Sequence, residues 1–362
     1  MDYGWYWLGP LNILKSNKDK NKVSFYISTV IFAKFFLSIL LFFLLIIVYF
    51  FWHKSINYES TFLLSFLMYF VGRSHNAQWI FMGLEKLIDY FFINLTIKII
   101  TIFIVFNVIK KSEDYIYINF ILGFSELAIS LVSYSFVFFL YKYKFLFISF
   151  NSILLELKDG YKTFLTNLAF TALINSNVII LSFFIKDKAL IGVYSLVEKI
   201  INLVKFGIMV LIQAIYPTAC KIYLQSLRKY NSLNRKLVVS FLLIAISICS
   251  VCFFLPDFVL SFFSKTKLNG AKELLQAMCL IPILSTLVQN HCSNLIIHNR
   301  KNIYTLSYLS GMFINITLII LLINNLKLYS VAVSGTITEA FIFLTLLFFT
   351  LKNKRLNFYL GR

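Results

Sequence analysis

From Val23 to Leu351 the sequence falls into apolar stretches of about 20 residues or more, separated by short clusters of lysine and arginine. No water-soluble core is built this way. A helix needs about 20 apolar residues to cross the hydrocarbon layer. In lipid, every backbone N–H and C=O must find its partner within a helix or a closed barrel. Barrel strands would alternate apolar and polar residues over ~10-residue segments, and these runs do not alternate. Spans are expected at 23–52, 61–81, 87–109, 116–140, 163–184, 189–216, 237–263, 273–297, 303–324 and 329–351. Met1–Leu14 is too short to cross alone and contains Pro10, so it reads as the tail end of a helix. The class is all-α and polytopic. Charge agrees: 14% of residues are charged, against about 25% in soluble domains.

Lys and Arg number 34 against 15 Asp and Glu. Such an excess invites a nucleic-acid partner, but the basic residues are spread over successive loops and form no single patch, which excludes that reading. Instead they set orientation. Alternate loops carry 20 basic residues (at 15–22, 86, 142–162, 221–236, 300–301 and 352–362) against 9 in the opposite set (at 54, 110–111, 186–188, 265–272 and 327). The richer set is cytoplasmic by the positive-inside rule. Reporter fusions after Lys20, Arg235 and Arg355 are therefore expected to report cytoplasm, and fusions near Lys54, Lys111 and Lys267 periplasm. Two adjacent loops reporting the same side would break the span list.

Loops are short on both faces, so no soluble catalytic domain is attached and no enzyme activity is expected. Five cysteines (Cys220, Cys249, Cys252, Cys279, Cys292) lie in or beside apolar spans. Cys249-x-x-Cys252 has a redox or metal spacing but no second pair, so small buried hydrophobes are the better reading. His53, His75, His291 and His298 sit on separate segments and suggest no metal site. There is no phosphate-binding glycine loop, so no nucleotide cofactor is expected.

Charges inside the spans carry the functional signal. Arg73, Lys98, Glu126, Lys205 and Glu339 fall near the centres of their spans, Lys34 about a third of the way in, and Glu198 and Lys199 nearer the periplasmic side. A central arginine costs roughly 2.5–3.5 kcal/mol even on insertion scales, and Arg73 is too central to snorkel easily. Polar residues recur at helical spacing around them: Asn94, Lys98, Thr101; Glu126, Ser130, Ser133; Thr163, Asn167, Thr171, Asn175; Ser195, Glu198, Asn202, Lys205. Thr286, Gln289, Asn290 and Ser293 cluster beyond Pro282, which should kink that helix. For the serines and threonines, helix packing is the default. The expected substrate pathway comprises Lys34, Arg73, Lys98, Glu126, Glu198, Lys199, Lys205, Gln289 and Asn290, with Glu126 or Glu339 able to couple the cycle to protons. A slightly cationic cavity rich in Asn, Gln, Ser and Thr suits a phosphorylated, hydroxylated ligand.

Trp79, Phe81 and Gly83-Leu84-Glu85-Lys86 resemble the tryptophan–aromatic–glycine–Glu–Lys signature of bacterial O-antigen flippases (Wzx type). These are polysaccharide transporters of the multidrug/oligosaccharidyl-lipid/polysaccharide flippase superfamily. Ala77 and Met82 stand where that family usually has proline and glutamine. Trp79 also lies where an aromatic-belt residue belongs, and Lys86 where a cytoplasmic anchor would be. Gly160–Leu165 is similar to the family's entry into its second lobe, and Gly192-Val193-Tyr194-Ser195 with Glu198-Lys199-Ile200 to its Gly-x-Tyr-Ser…Glu-Lys-Ile motif. Ile215-Tyr216-Pro217 is similar to the aromatic-proline that closes that helix, and Asp2-Tyr3-Gly4 with the Lys18–Lys22 loop to its second helix and turn.

The resemblance implies two lobes of about six helices, MATE-like: 1–140, a linker at 141–162, and 163–362. It implies a first helix missing before Met1, with about 50 residues absent. It implies an inner-membrane flippase for an undecaprenyl-pyrophosphate-linked glycan, working beside a polysaccharide polymerase and a chain-length regulator. A multidrug or cation antiporter of the related branch, and a membrane O-antigen polymerase, are the alternatives.

Overall fold

Helices that bond their own backbone are what these apolar runs demand, and a computed structural model shows them. It describes residues 3–16, 19–52, 59–111, 114–264 and 268–352. Asp2, Lys18, His53, Lys54, Lys265, Lys267 and Arg355, used above, lie outside the described residues. The helices are α1 (Trp5–Lys15), α2 (Lys20–Trp52), α3 (Glu59–Ser74), α4 (Gln78–Gly83), α5 (Leu87–Val108) and α6 (Tyr115–Ser135, with a π-helical continuation Phe136–Leu140). They continue as α7 (Phe150–Phe184), α8 (Lys188–Gln225), α9 (Leu227–Phe254), α10 (Pro256–Ser261), α11 (Ala271–Met278), α12 (Leu280–Ile297), α13 (Lys301–Leu326) and α14 (Tyr329–Lys352). Among the described residues nine stretches are long and apolar enough to cross a bilayer. The chain is a multi-pass, all-helical membrane protein.

Several expectations need correction, among them the span at 237–263, where α9 stops at Phe254 and α10 starts at Pro256. The span at 61–81 is broken: α3 stops at Ser74 and α4 starts at Gln78. Asn76 makes the break, its side-chain carbonyl accepting the Gln78 backbone N–H at 2.8 Å in an Asx turn. Arg73 is thus in the last turn of a helix, not at the centre of one. The connector at 141–162 is extended only to Ser149; from Phe150 it is already α7. The loop at 217–236 is helical apart from Ser226, whose extended backbone separates α8 from α9. Pro217 therefore closes nothing: α8 runs through it to Gln225. Finally, the span at 273–297 is split at Cys279, because Pro282 has no N–H for the Met278 carbonyl.

The chain divides into two compact units, Met1–Tyr161 and Lys162–Arg362. In the first, α3 and α6 approach backbone to backbone. A Cβ on Gly123 would lie 2.6 Å from the Tyr69 nitrogen, and one on Gly72 would lie 2.9 Å from the Glu126 Cβ. Only glycine fits this crossing, and it brings Glu126 against the last turn of α3. The second unit has its own core, in which Tyr194, Val197 and Ile201 of α8 pack with Leu274, Leu275 and Met278 of α11 and Ile319 of α13.

Candidate functional site

In the first unit one carboxylate serves two cations. Glu126 on α6 is buried, and its Oε1 takes Lys98 Nζ of α5 at 2.7 Å while its Oε2 takes Arg73 Nη1 of α3 at 3.3 Å. The cations are less enclosed: the Arg73 side chain is 54% exposed and that of Lys98 37%, against 4% for Glu126. Two positive charges against one negative leave a net positive charge, with guanidinium and ammonium donors still open to a ligand. Tyr134 fastens this end of α3, its hydroxyl donating to the His75 carbonyl at 2.8 Å.

Lys34 of α2 behaves differently. It is buried, donates Nζ to the Asn76 carbonyl at 2.7 Å, and lies 5.8 and 5.9 Å over the rings of Trp5 and Trp79. These are cation–π distances. The ammonium holds the α3–α4 break in place.

The Trp79–Lys86 motif is a packing joint. Trp79 is buried instead of sitting in an interfacial belt, and its ring fills the space a Cβ on Gly9 would need, 2.4 Å away. Gly83 lies against α1, where a Cβ would meet Ile13 Cδ1 at 2.7 Å and Pro10 Cα at 3.1 Å. The segment that follows is a Schellman stop: Lys86 N–H donates to the Phe81 carbonyl at 2.8 Å, Glu85 N–H to the Met82 carbonyl at 3.2 Å, and Glu85 takes the left-handed conformation at φ 58°. Lys86 is exposed at the N-cap of α5. Gly83→Val is expected to cost about 1–3 kcal/mol by overpacking, read as a lower unfolding temperature of the purified protein. An unchanged temperature would mean that α1 yields freely.

In the second unit six helices, α7, α8 and α11 to α14, line a cavity of about 50 Å³, room for a few waters. Lys205 of α8 meets Glu339 of α14 at 2.8 Å, both largely buried. Glu198, two turns before Lys205, accepts from the Tyr194 hydroxyl at 2.5 Å and from Asn177 Nδ2 of α7 at 3.5 Å. Asn315 Nδ2 of α13 donates to Asn177 Oδ1 at 3.0 Å. Sequence reading missed Tyr194, Asn177 and Asn315 as members of this network. For Tyr194 a signal existed, since positions 194 and 198 share a helix face; the other two pairings cross helices.

Gln289 and Asn290 stand apart. Asn290 is buried and donates to the Thr286 carbonyl of its own helix at 2.8 Å; Gln289 bonds Ser285 at 3.2 Å. Neither lines this cavity. Lys199 is exposed on a separate, wider groove with Asn202. The five cysteines are free and buried. Among the described residues no His, Cys, Asp or Glu cluster could hold a metal.

A family model described as polysaccharide biosynthesis protein matches residues 12–223. No curated protein sequence matches the chain. Among solved structures, a multidrug resistance MATE family transporter of the MOP superfamily, in an outward-facing conformation, is 11% identical with a TM-score of 0.73, over 97% of this chain and 83% of that one. A eukaryotic MATE transporter is 13% identical with a TM-score of 0.65, over 98% and 84%. The MATE multidrug transporter DinF-BH is 14% identical with a TM-score of 0.66, over 98% and 84%. At such identities the likeness shows the fold, and the fold is MATE-like.

Proposed function

The chain belongs to the polysaccharide biosynthesis protein family, and from that premise we propose that it is a flippase. Its substrate would be an undecaprenyl-pyrophosphate-linked oligosaccharide, an O-antigen or related repeat unit, moved from the cytoplasmic to the periplasmic leaflet of the bacterial inner membrane. The observation that carries this reading is the Arg73–Glu126–Lys98 cluster. Its carboxylate is buried while its cations are half-exposed, so an arriving anion meets donors with no free carboxylate to repel it. Arginine grips phosphate through paired N–H bonds and lysine as a point charge.

Alternating access would use the two units as the moving bodies. Of the two carboxylates suited to proton coupling, Glu339 fits better, because among the described residues Glu126 is held by two cations and Glu339 by Lys205 alone. Protonating Glu339 would free the Lys205 ammonium in a cavity that also holds Glu198. The flipped glycan would pass to a polysaccharide polymerase and its chain-length regulator.

A cation antiporter is disfavoured by the same cluster, whose carboxylate is already neutralised in excess. The test is complementation of a strain deleted for its own O-antigen flippase, supplied with the matching glycan machinery. Restored surface polysaccharide supports the proposal; a normally inserted protein that restores none, with glycans of several strains, overturns it.

A further inference from the structure

Beside the buried cavity of the second unit lies an open groove of about 590 Å³ between α7 and α8. Its volume is in the ~300–1,000 Å³ range of small-molecule sites. Phe170, Thr171, Ile174 and Asn175 line it from α7, Lys199, Asn202, Leu203 and Phe206 from α8, and Phe263 from the turn after α10. On α8 these follow the spacing i, i+3, i+4, i+7, a single face. Asn202 also lines the cavity that contains Lys205 and Glu339, so one amide borders both spaces.

An acyl chain would suit Ile174, Leu203 and the phenylalanines, but not Lys199, Asn175 and Asn202. Among the described residues the Lys199 and Asn202 side chains have no hydrogen bond or ion pair, and an ammonium left in hydrocarbon is costly. Asn175 spends its Nδ2 on the Thr171 carbonyl at 2.9 Å, which leaves its Oδ1 as an acceptor. Flat aromatic faces beside a few amides, a hydroxyl and one cation form a lining suited to a hydroxylated ring compound with an occasional acid group.

We infer that the α7–α8 groove is the subsite for the glycan portion of the substrate: Asn175 and Asn202 take sugar hydroxyls, Phe170 and Phe206 pack on ring faces, and Lys199 meets acidic substituents. This rests on the flippase reading for the identity of the glycan, but the groove can be tested apart from transport. It also places the glycan next to the Lys205–Glu339 pair, through Asn202.

The probe is the free repeat-unit oligosaccharide, released from the surface polysaccharide of the producing strain. Thr171→Cys is a near-isosteric label site at an exposed position, and the five native cysteines are buried, so a polar maleimide reports on the groove. In purified, reconstituted protein the oligosaccharide, at about four times its dissociation constant, is expected to slow labelling about fivefold. Lys199→Ala with Asn202→Ala should remove that protection. No protection, or a groove closed to the reagent because lipid fills it, overturns the inference. Transport of the lipid-linked form is measured alongside. A protein that is protected but moves nothing keeps the subsite and loses the flippase reading; one that transports without protection does the reverse.

Discussion

Lys98→Glu is expected to abolish surface polysaccharide, measured per amount of protein in the membrane. The wild-type cluster pairs two cations with one carboxylate, Lys98 at 2.7 Å and Arg73 at 3.3 Å from Glu126. A glutamate at 98 reverses that balance to two carboxylates and one cation. Like charges about 4 Å apart repel by about 4 kcal/mol at an effective dielectric of 20, and an anionic substrate would meet the same repulsion. Lys98→Ala only removes a charged donor, worth about 1.5–3 kcal/mol, or roughly tenfold to a hundredfold. The order glutamate worse than alanine is therefore the informative result. It is read by polysaccharide gels against immunoblots of membrane fractions. Normal polysaccharide from Lys98→Ala would return Lys98 to a structural role.

Lys205→Ala should strongly destabilise the second unit. It strands the buried Glu339, and removing one partner of a buried pair costs about 3–5 kcal/mol. Replacing both, as Lys205→Met with Glu339→Leu, is expected to return most of that stability, since an apolar pair of similar volume avoids the desolvation cost. Transport should stay lost in both, because the pair, and not its volume, is the proposed proton site. Unfolding temperature and complementation measure the two effects separately. A double variant that regains transport along with stability would make the pair purely structural.

Hydropathy made most of the helices legible, and the placement of cations inside spans pointed to Arg73, Lys98, Lys205 and their carboxylates. Several other features were hidden for identifiable reasons. The α3–α4 break falls on the polar run Arg73-Ser74-His75-Asn76, which the apolar residues on both sides outweighed in a span-length reading; Asn76 marks it, its side chain turned onto the Gln78 N–H. Charge-rich 217–236 was expected to be a loop because charges end spans, yet a helix can continue past the lipid boundary when it is packed, and only Ser226 interrupts it. Pro217 was expected to end α8, but tertiary packing holds the buried Tyr216 and Pro217 within the helix. Trp79 has the composition of a belt residue and the position of a core residue, and only the glycine opposite it, Gly9, distinguishes the two. Charge partners were the least legible feature. Lys205 and Glu339 are 134 positions apart, and no local pattern joins them.

Reconstitution tests the central claim most directly. The purified chain is placed in liposomes loaded with lipid-linked oligosaccharide from the producing strain, and appearance of the glycan on the opposite leaflet is followed with an impermeant lectin or glycosidase. A parallel set of liposomes carries a fluorescent organic cation. The cationic Arg73–Lys98 cluster predicts that the pyrophosphate-linked glycan crosses, that Lys98→Glu stops it, and that the organic cation is not moved. Movement of the cation with no movement of the glycan would contradict the account and favour the antiporter.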